Sequence, residues 1–157
     1  GKLDFRKQLG LALRSVAKTQ NPYIKLHIVG GGNNLPYQAL AKNLGIETQC
    51  KLYGTVSHEE VQKIMQESDV FFFTSVAEGT PHVVLEAIGN NLPVVCFDTC
   101  GQGDSVNEKV GIKISLSTPN QSIIDFAEKI NYLYQNRSIL QQLSEGCNKR
   151  QKELSWD

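Results

Sequence analysis

Residues 70–97 read VFFFTSVAEGTPHVVLEAIGNNLPVVCF. The stretch opens with the apolar run Val70–Thr74 and closes with a second, Pro93–Phe97. Between them lie a turn and an apolar, helix-period segment that begins near Pro81. Short continuous apolar runs bounded by turn residues are what a strand buried on both faces requires, and a helix joining two of them makes a strand–helix–strand unit of a parallel sheet.

The same alternation continues in both directions. Upstream, residues 5–19 predict a helix with Phe5, Leu9, Leu13 and Val16 on one stripe, and Ile24–Val29 predicts a buried strand ended by Gly30-Gly31-Gly32. A helix over 35–44 is stopped at Gly45, where glycine adopts a left-handed cap cheaply. Cys50–Tyr53 is the next strand. Ser57 then opens a helix as N-cap, with Glu60 three residues on completing a capping box, and the helix runs to Glu67. Downstream, a loop rich in Gly and Asp (98–107) leads to a short strand, Gly111–Ile114, and to helices over 120–135 and 137–153. The fold class is α/β, a Rossmann-like doubly wound parallel sheet flanked by helices. Such sheets bind ligands outside the carboxyl ends of their strands, which directs attention to the loops after Val29, Tyr53, Thr74 and Phe97.

Composition bounds the function. A chain of 157 residues is the size of one domain, and 40% apolar with 20% charged residues is ordinary for a soluble globular protein. Sixteen Lys and Arg balance sixteen Asp and Glu, so no basic field draws the chain to nucleic acid or an anionic bilayer. The longest apolar runs fall far short of the roughly 18 residues of a spanning helix. The start of the chain also lacks a charged-then-apolar signal segment. Cysteines 50, 96, 100 and 147 form no Cys-x2-Cys pair and are read as reduced, mostly buried apolar residues of a cytoplasmic domain.

The chemistry concentrates in Glu78-Gly79-Thr80-Pro81-His82-Val83-Val84-Leu85-Glu86. Thr80 suits the N-cap and Pro81 the first helical position, so the free amides and positive dipole end of this helix face the crevice as an anion site. Gly79 lets backbone approach the bound group, and phosphate is the commonest such group. Glu78 stands in the crevice loop. Glu86 lies more than a turn inside the helix among apolar neighbours, where a carboxylate needs a hydrogen-bonding partner. Ionised carboxylates accept from two adjacent hydroxyls, as on a sugar or a ribose. Spacing alone leaves open whether the two are ligand grips or solvated charges. His82 is equally a phosphate contact or a solvated residue at the helix start, while His27 and His58 are read as structural. Gly30 to Gly32 fails the dinucleotide pattern because Leu35 occupies the last glycine position, leaving a plain nucleotide-approach loop. Asp98, Asp104 and Glu108 match no calcium-loop spacing, so neither metal nor cofactor is expected.

Residues 78–95, EGTPHVVLEAIGNNLPVV, resemble the signature of family 4 of the retaining glycosyltransferases (glycosyltransferase group 1), in which Glu-x7-Glu precedes Ala, a small residue and a Leu-Pro-Val-Val strand. The resemblance extends across the chain. Gly1-Lys2-Leu3 with Lys7 resembles the family's Gly-Arg-Leu-x3-Lys-Gly; Ile28–Gly32, its Val-Gly-x-Gly loop; Tyr53-Gly54-Thr55-Val56, its Phe-x-Gly-x-Val turn; Leu154-Ser155-Trp156, its Phe-Ser-Trp. Lys2 stands where the family more often has Arg, keeping the charge and losing the planar fork, and Gln8 replaces a Gly.

The resemblance implies one half of a two-domain GT-B fold. The chain would be a single donor-binding domain over 1–157, with a first strand before residue 1 and an N-terminal acceptor-binding domain absent; any contact with a membrane face falls to that other half. It also implies the site roles. Glu78 would hold hydroxyls of the transferred sugar, Glu86 the ribose hydroxyls, and Lys2 and Lys7 the diphosphate of a nucleotide-sugar substrate. Amides of Thr80, His82 and Val83 would complete the cradle, with Gly79 allowing the close approach and Gly30, Gly31 and Gly54 lining it. Rivals of the same architecture are a sugar-nucleotide epimerase, a phosphorylase and a non-catalytic nucleotide-binding module.

Overall fold

Local signals start and stop the helices where the chain must turn. The computed structural model describes residues 9–75, 82–99 and 105–154. The Ser57 side chain accepts from the Glu60 amide at 3.2 Å, and Thr118 accepts from the Gln121 amide at 3.2 Å with Pro119 as the first helical residue. Gly45 ends its helix with φ 75°, and the amides of Gly45 and Ile46 satisfy the carbonyls of Lys42 and Ala41.

The resulting elements are α1 (Leu9–Thr19), β1 (Leu26–Val29), α2 (Leu35–Asn43), β2 (Cys50–Gly54), α3 (His58–Glu67), β3 (Phe71–Phe73), α4 (His82–Gly89), β4 (Val94–Phe97), β5 (Gly111–Ile114), α5 (Pro119–Gln135) and α6 (Arg137–Leu154). The strand–helix alternation is the expected one; β3 and β4 are shorter than the expected Val70–Thr74 and Pro93–Phe97, and two further boundary differences have physical causes. The first strand begins at Leu26 rather than Ile24 because the Gln49 side-chain amide donates to the carbonyls of Asn21 and Ile24, both at 2.9 Å. The second strand runs on to Gly54 because its register against β1 slips at Ile28/Val29, pairing Val29 with Gly54.

All strand pairs among the described residues are parallel. β1 pairs with β2, and β3 with β4 with β5, in two separate pieces. Every residue of β4 is buried, and its alternation divides two cores. Val94 and Cys96 pack with Val84, Ala87 and Ile88 of α4, while Val95 and Phe97 pack with Phe126 and Leu133 of α5. Helices therefore cover both faces, as the doubly wound class requires. A third cluster joins Leu13 and Val16 of α1 to Ile28 and Ala41. Phe72 touches both the second and third clusters and tilts against Phe126 with ring centroids 5.0 Å apart. The two pieces are also tied by α1 packing on α5, where the Asn131 side chain donates to the Thr19 carbonyl at 3.1 Å. Between β1 and β3 a cavity of about 540 Å³ remains, lined by Leu26, Ile28, Val61, Phe71 and Phe72 among others.

Gly146, on α6, lies so close to the loop before β5 that a Cβ would run into the carbonyl of Lys109. Helix propensity alone favours Gly146→Ala by about 1 kcal/mol. The backbone collision outweighs it, so the substitution should destabilise the chain by roughly 1–3 kcal/mol in urea unfolding; a stabilised variant would contradict this packing. The neighbouring thiols give a second check. Cys50, Cys96 and Cys147 are free. Burial pushes Cys96 up to about 12, with smaller opposing effects from Lys113 and Asp98, and pushes Cys147 up to about 11. Iodoacetamide at pH 8 should leave both unmodified in the folded chain and alkylate them on unfolding.

Candidate functional site

Among the described residues, the loops at the carboxyl ends of β1 and β2 meet. After β1, Gly30 donates its amide to the Gly54 carbonyl at 2.9 Å, which fastens the glycine loop to the end of β2. Gly30 and Gly32 have φ of 148° and 112°, and Gly54 has φ of 73°, conformations that disfavour any side chain. At Gly31 a Cβ would stand 2.5 Å from the Thr55 hydroxyl. These positions leave bare backbone at the ends of β1 and β2. The expected grouping of Gly30, Gly31 and Gly54 is therefore present in space.

After β3, Thr74 and Ser75 are buried, and α4 begins at His82, which is exposed, followed by half-buried Val83. Lys2, Lys7, Glu78, Gly79 and Thr80 lie outside the described residues. After β4, Asp98 pairs with Lys113 at 3.7 Å; both side chains are substantially exposed, so the pair contributes little. Among the described residues no three His, Cys, Asp or Glu side chains gather as a metal site.

Glu86 is half-buried and has the partner that its surroundings demand. Gln62 of α3 donates its side-chain amide to Glu86 Oε2 at 3.2 Å. The Gln62 carbonyl in turn accepts from the Asn90 amide at 2.7 Å, and the same Asn90 amide donates to the Glu86 backbone carbonyl at 2.9 Å. Gln66 extends the seam to Asn90 at 3.5 Å. Below this polar seam, Met65, Val61, Val83 and Ala87 form its apolar floor. Gln62 and Asn90 escaped the sequence reading. They lie 24 and 4 residues from Glu86, and nothing in the local pattern of α3 distinguishes Gln62 from any solvated glutamine. His58 is exposed at the start of α3, and His27 meets the Tyr53 hydroxyl through Nδ1 at 2.7 Å on an exposed strand face.

Comparison with known proteins agrees with this fold. The family model "Glycosyl transferases group 1" matches residues 1–152. The lipopolysaccharide 1,6-galactosyltransferase of Salmonella typhimurium is 32% identical over 136 residues, covering 83% of this chain and 37% of that protein. The structure superposes on the pneumococcal O-GlcNAc transferase GtfA, solved with UDP and GlcNAc, with a TM-score of 0.88 at 22% identity, over 97% of this chain and 31% of that one. The lipopolysaccharide glycosyltransferase WaaG gives 0.83 at 20% identity, over 97% and 41%. The chain thus spans well under half the length of each of these proteins. With the parallel sheet, the glycine loops and the Glu86 helix at the strand ends, the matched family model places this chain among the glycosyl transferases of group 1, in the GT-B fold.

Proposed function

We propose that this chain is the donor-binding half of a glycosyltransferase that transfers a hexose from a nucleoside diphosphate with retention of anomeric configuration. The observation that carries the reading is Glu86, a half-buried carboxylate one turn below the start of α4, with one oxygen held by Gln62 and bare glycine backbone on the neighbouring strand ends. The UDP in the GtfA structure, which shares this fold, adds support for a nucleoside diphosphate.

In this reading Glu86 accepts from the two ribose hydroxyls, which a carboxylate does bidentately. The amides that open α4 and the ammonium groups of Lys2 and Lys7 meet the diphosphate, whose negative charge grows as it leaves. Glu78 grips hydroxyls of the sugar. The anomeric carbon–oxygen bond to the diphosphate breaks and its electron pair stays with the diphosphate. The acceptor oxygen bonds to the same face of the sugar, and its proton passes to the departing diphosphate. The protein supplies positioning and charge, with no protein nucleophile and no metal. The acceptor binds to a second domain, and the free thiols fit a cytoplasmic setting. No helix among the described residues is long and apolar enough to cross a membrane.

The cavity between β1 and β3 supports the placement of one further strand, absent from this chain, in the middle of the sheet. The outer strands carry a charge, Lys51 in β2 and Lys113 in β5, as edge strands commonly do. β1 and β3 carry no Lys, Arg, Asp or Glu, and both border the cavity.

Two measurements test these proposals. In saturation-transfer NMR with a panel of nucleotides and nucleotide sugars, Glu86→Ala should weaken the bare nucleoside diphosphate by roughly tenfold or more, whereas Glu78→Ala should weaken only the sugar-bearing donor. Equal losses for both ligands in both variants would refute that division of labour. Extending the chain at its amino end by the segment that precedes it in the longer protein should slow amide exchange at Leu26–Val29 and Phe71–Phe73. It should also raise Tm by about 5 °C or more, and unchanged exchange would rule out a strand there.

A further inference from the structure

We infer that Gln62 is a positioning residue for the nucleotide, acting through Glu86; the inference rests on the donor-binding reading above. Gln62 and Glu86 are each the fifth residue of their helix, α3 and α4, so each lies roughly 6 Å below a helix start that follows the carboxyl end of a strand. The two side chains meet at one depth beneath the crevice. Among the described residues, no other group donates to the Glu86 carboxylate.

A free glutamate on a helix samples several rotamers, and ordering it on binding costs free energy. Here the cost is met before the ligand arrives. The Gln62 amide fixes Oε2, the Asn90 amide fixes the Gln62 carbonyl, and Asn90 is anchored to the Glu86 backbone. This closed ring also decides which end of the Gln62 amide faces the carboxylate: its oxygen is taken by Asn90, so only its NH₂ is left to face Glu86. Oε1, together with the remaining lone pair of Oε2, is then presented to a ribose diol. The ring makes Gln62 a specificity element for the ribose, with no contact to the diphosphate or the sugar.

The test uses isothermal titration of the chain with UDP and with 2′,3′-dideoxy-UDP, which lacks the diol. Gln62→Leu should weaken UDP about five- to tenfold and leave the dideoxy ligand unchanged, because only the diol reads the orientation of Glu86. Gln62→Glu, which keeps the acceptor for Asn90 and sets a like charge against Glu86, should weaken UDP at least as much at pH 7 and recover part of the loss near pH 5. Equal weakening of both ligands would mean that Gln62 acts only by holding the helices together, and would overturn the inference. So would unchanged UDP affinity in Gln62→Leu when Glu86→Ala loses it; the donor-binding reading would survive that outcome. Failure of the unsubstituted chain to bind UDP or any other nucleoside diphosphate would remove both. Should Gln62→Leu fail to fold, the UDP-against-dideoxy comparison in Gln62→Glu decides alone.

Discussion

The burial of β4 on both faces constrains everything around it. A strand with no exposed side chain must be covered twice, and its alternation sends Val94 and Cys96 toward α4 while Val95 and Phe97 meet α5. Phe126 then sits edge-on to Phe97 at 4.9 Å and against Phe72 at 5.0 Å, so one α5 aromatic ties β4 to β3. The same strand places α4 by way of Val84, Ala87 and Ile88, and so sets where Glu86 stands. Close approach at the glycines of this half follows from that packing. Gly111 next to the Val94 carbonyl and Gly146 next to the Lys109 carbonyl leave no room for a Cβ.

A parallel sheet aligns the beginnings of its helices at one edge, and this edge is where the candidate site lies. In the proposed donor-binding role the glycine loops after β1 and β2 would offer backbone to the ligand, and α4 its amides and its dipole. A carboxylate placed a turn below that dipole has to be balanced. Among the described residues a neutral amide, not a cation, does so; in the proposed role this leaves the carboxylate able to accept from hydroxyl donors while satisfying one oxygen. A lysine at position 62 would satisfy the same oxygen and compete with a ligand for the carboxylate. The ring of Gln62, Glu86 and Asn90 therefore reconciles two demands that conflict in most half-buried sites, partnering the charge and leaving it able to bind.

The sequence by itself determined the order and type of nearly every element. It did so because the signals are local: apolar runs at Val70–Thr74 and Pro93–Phe97, the Ser57 cap, the left-handed Gly45, and a helical period over 120–135. It also placed Glu86 on a helix among apolar neighbours, and carried the whole-chain resemblance that the family model matches over residues 1–152. Tertiary structure alone decided three things. The Gln49 amide shortened the first strand by taking carbonyls 25 and 28 residues away. The gap between β1 and β3 separated the sheet into two pieces. The packing of α3 on α4 chose Gln62 as the partner of Glu86. Each depends on groups far apart in the chain meeting in space, and a hydrogen bond leaves no periodic trace in a sequence when its two ends are set by the packing of different helices.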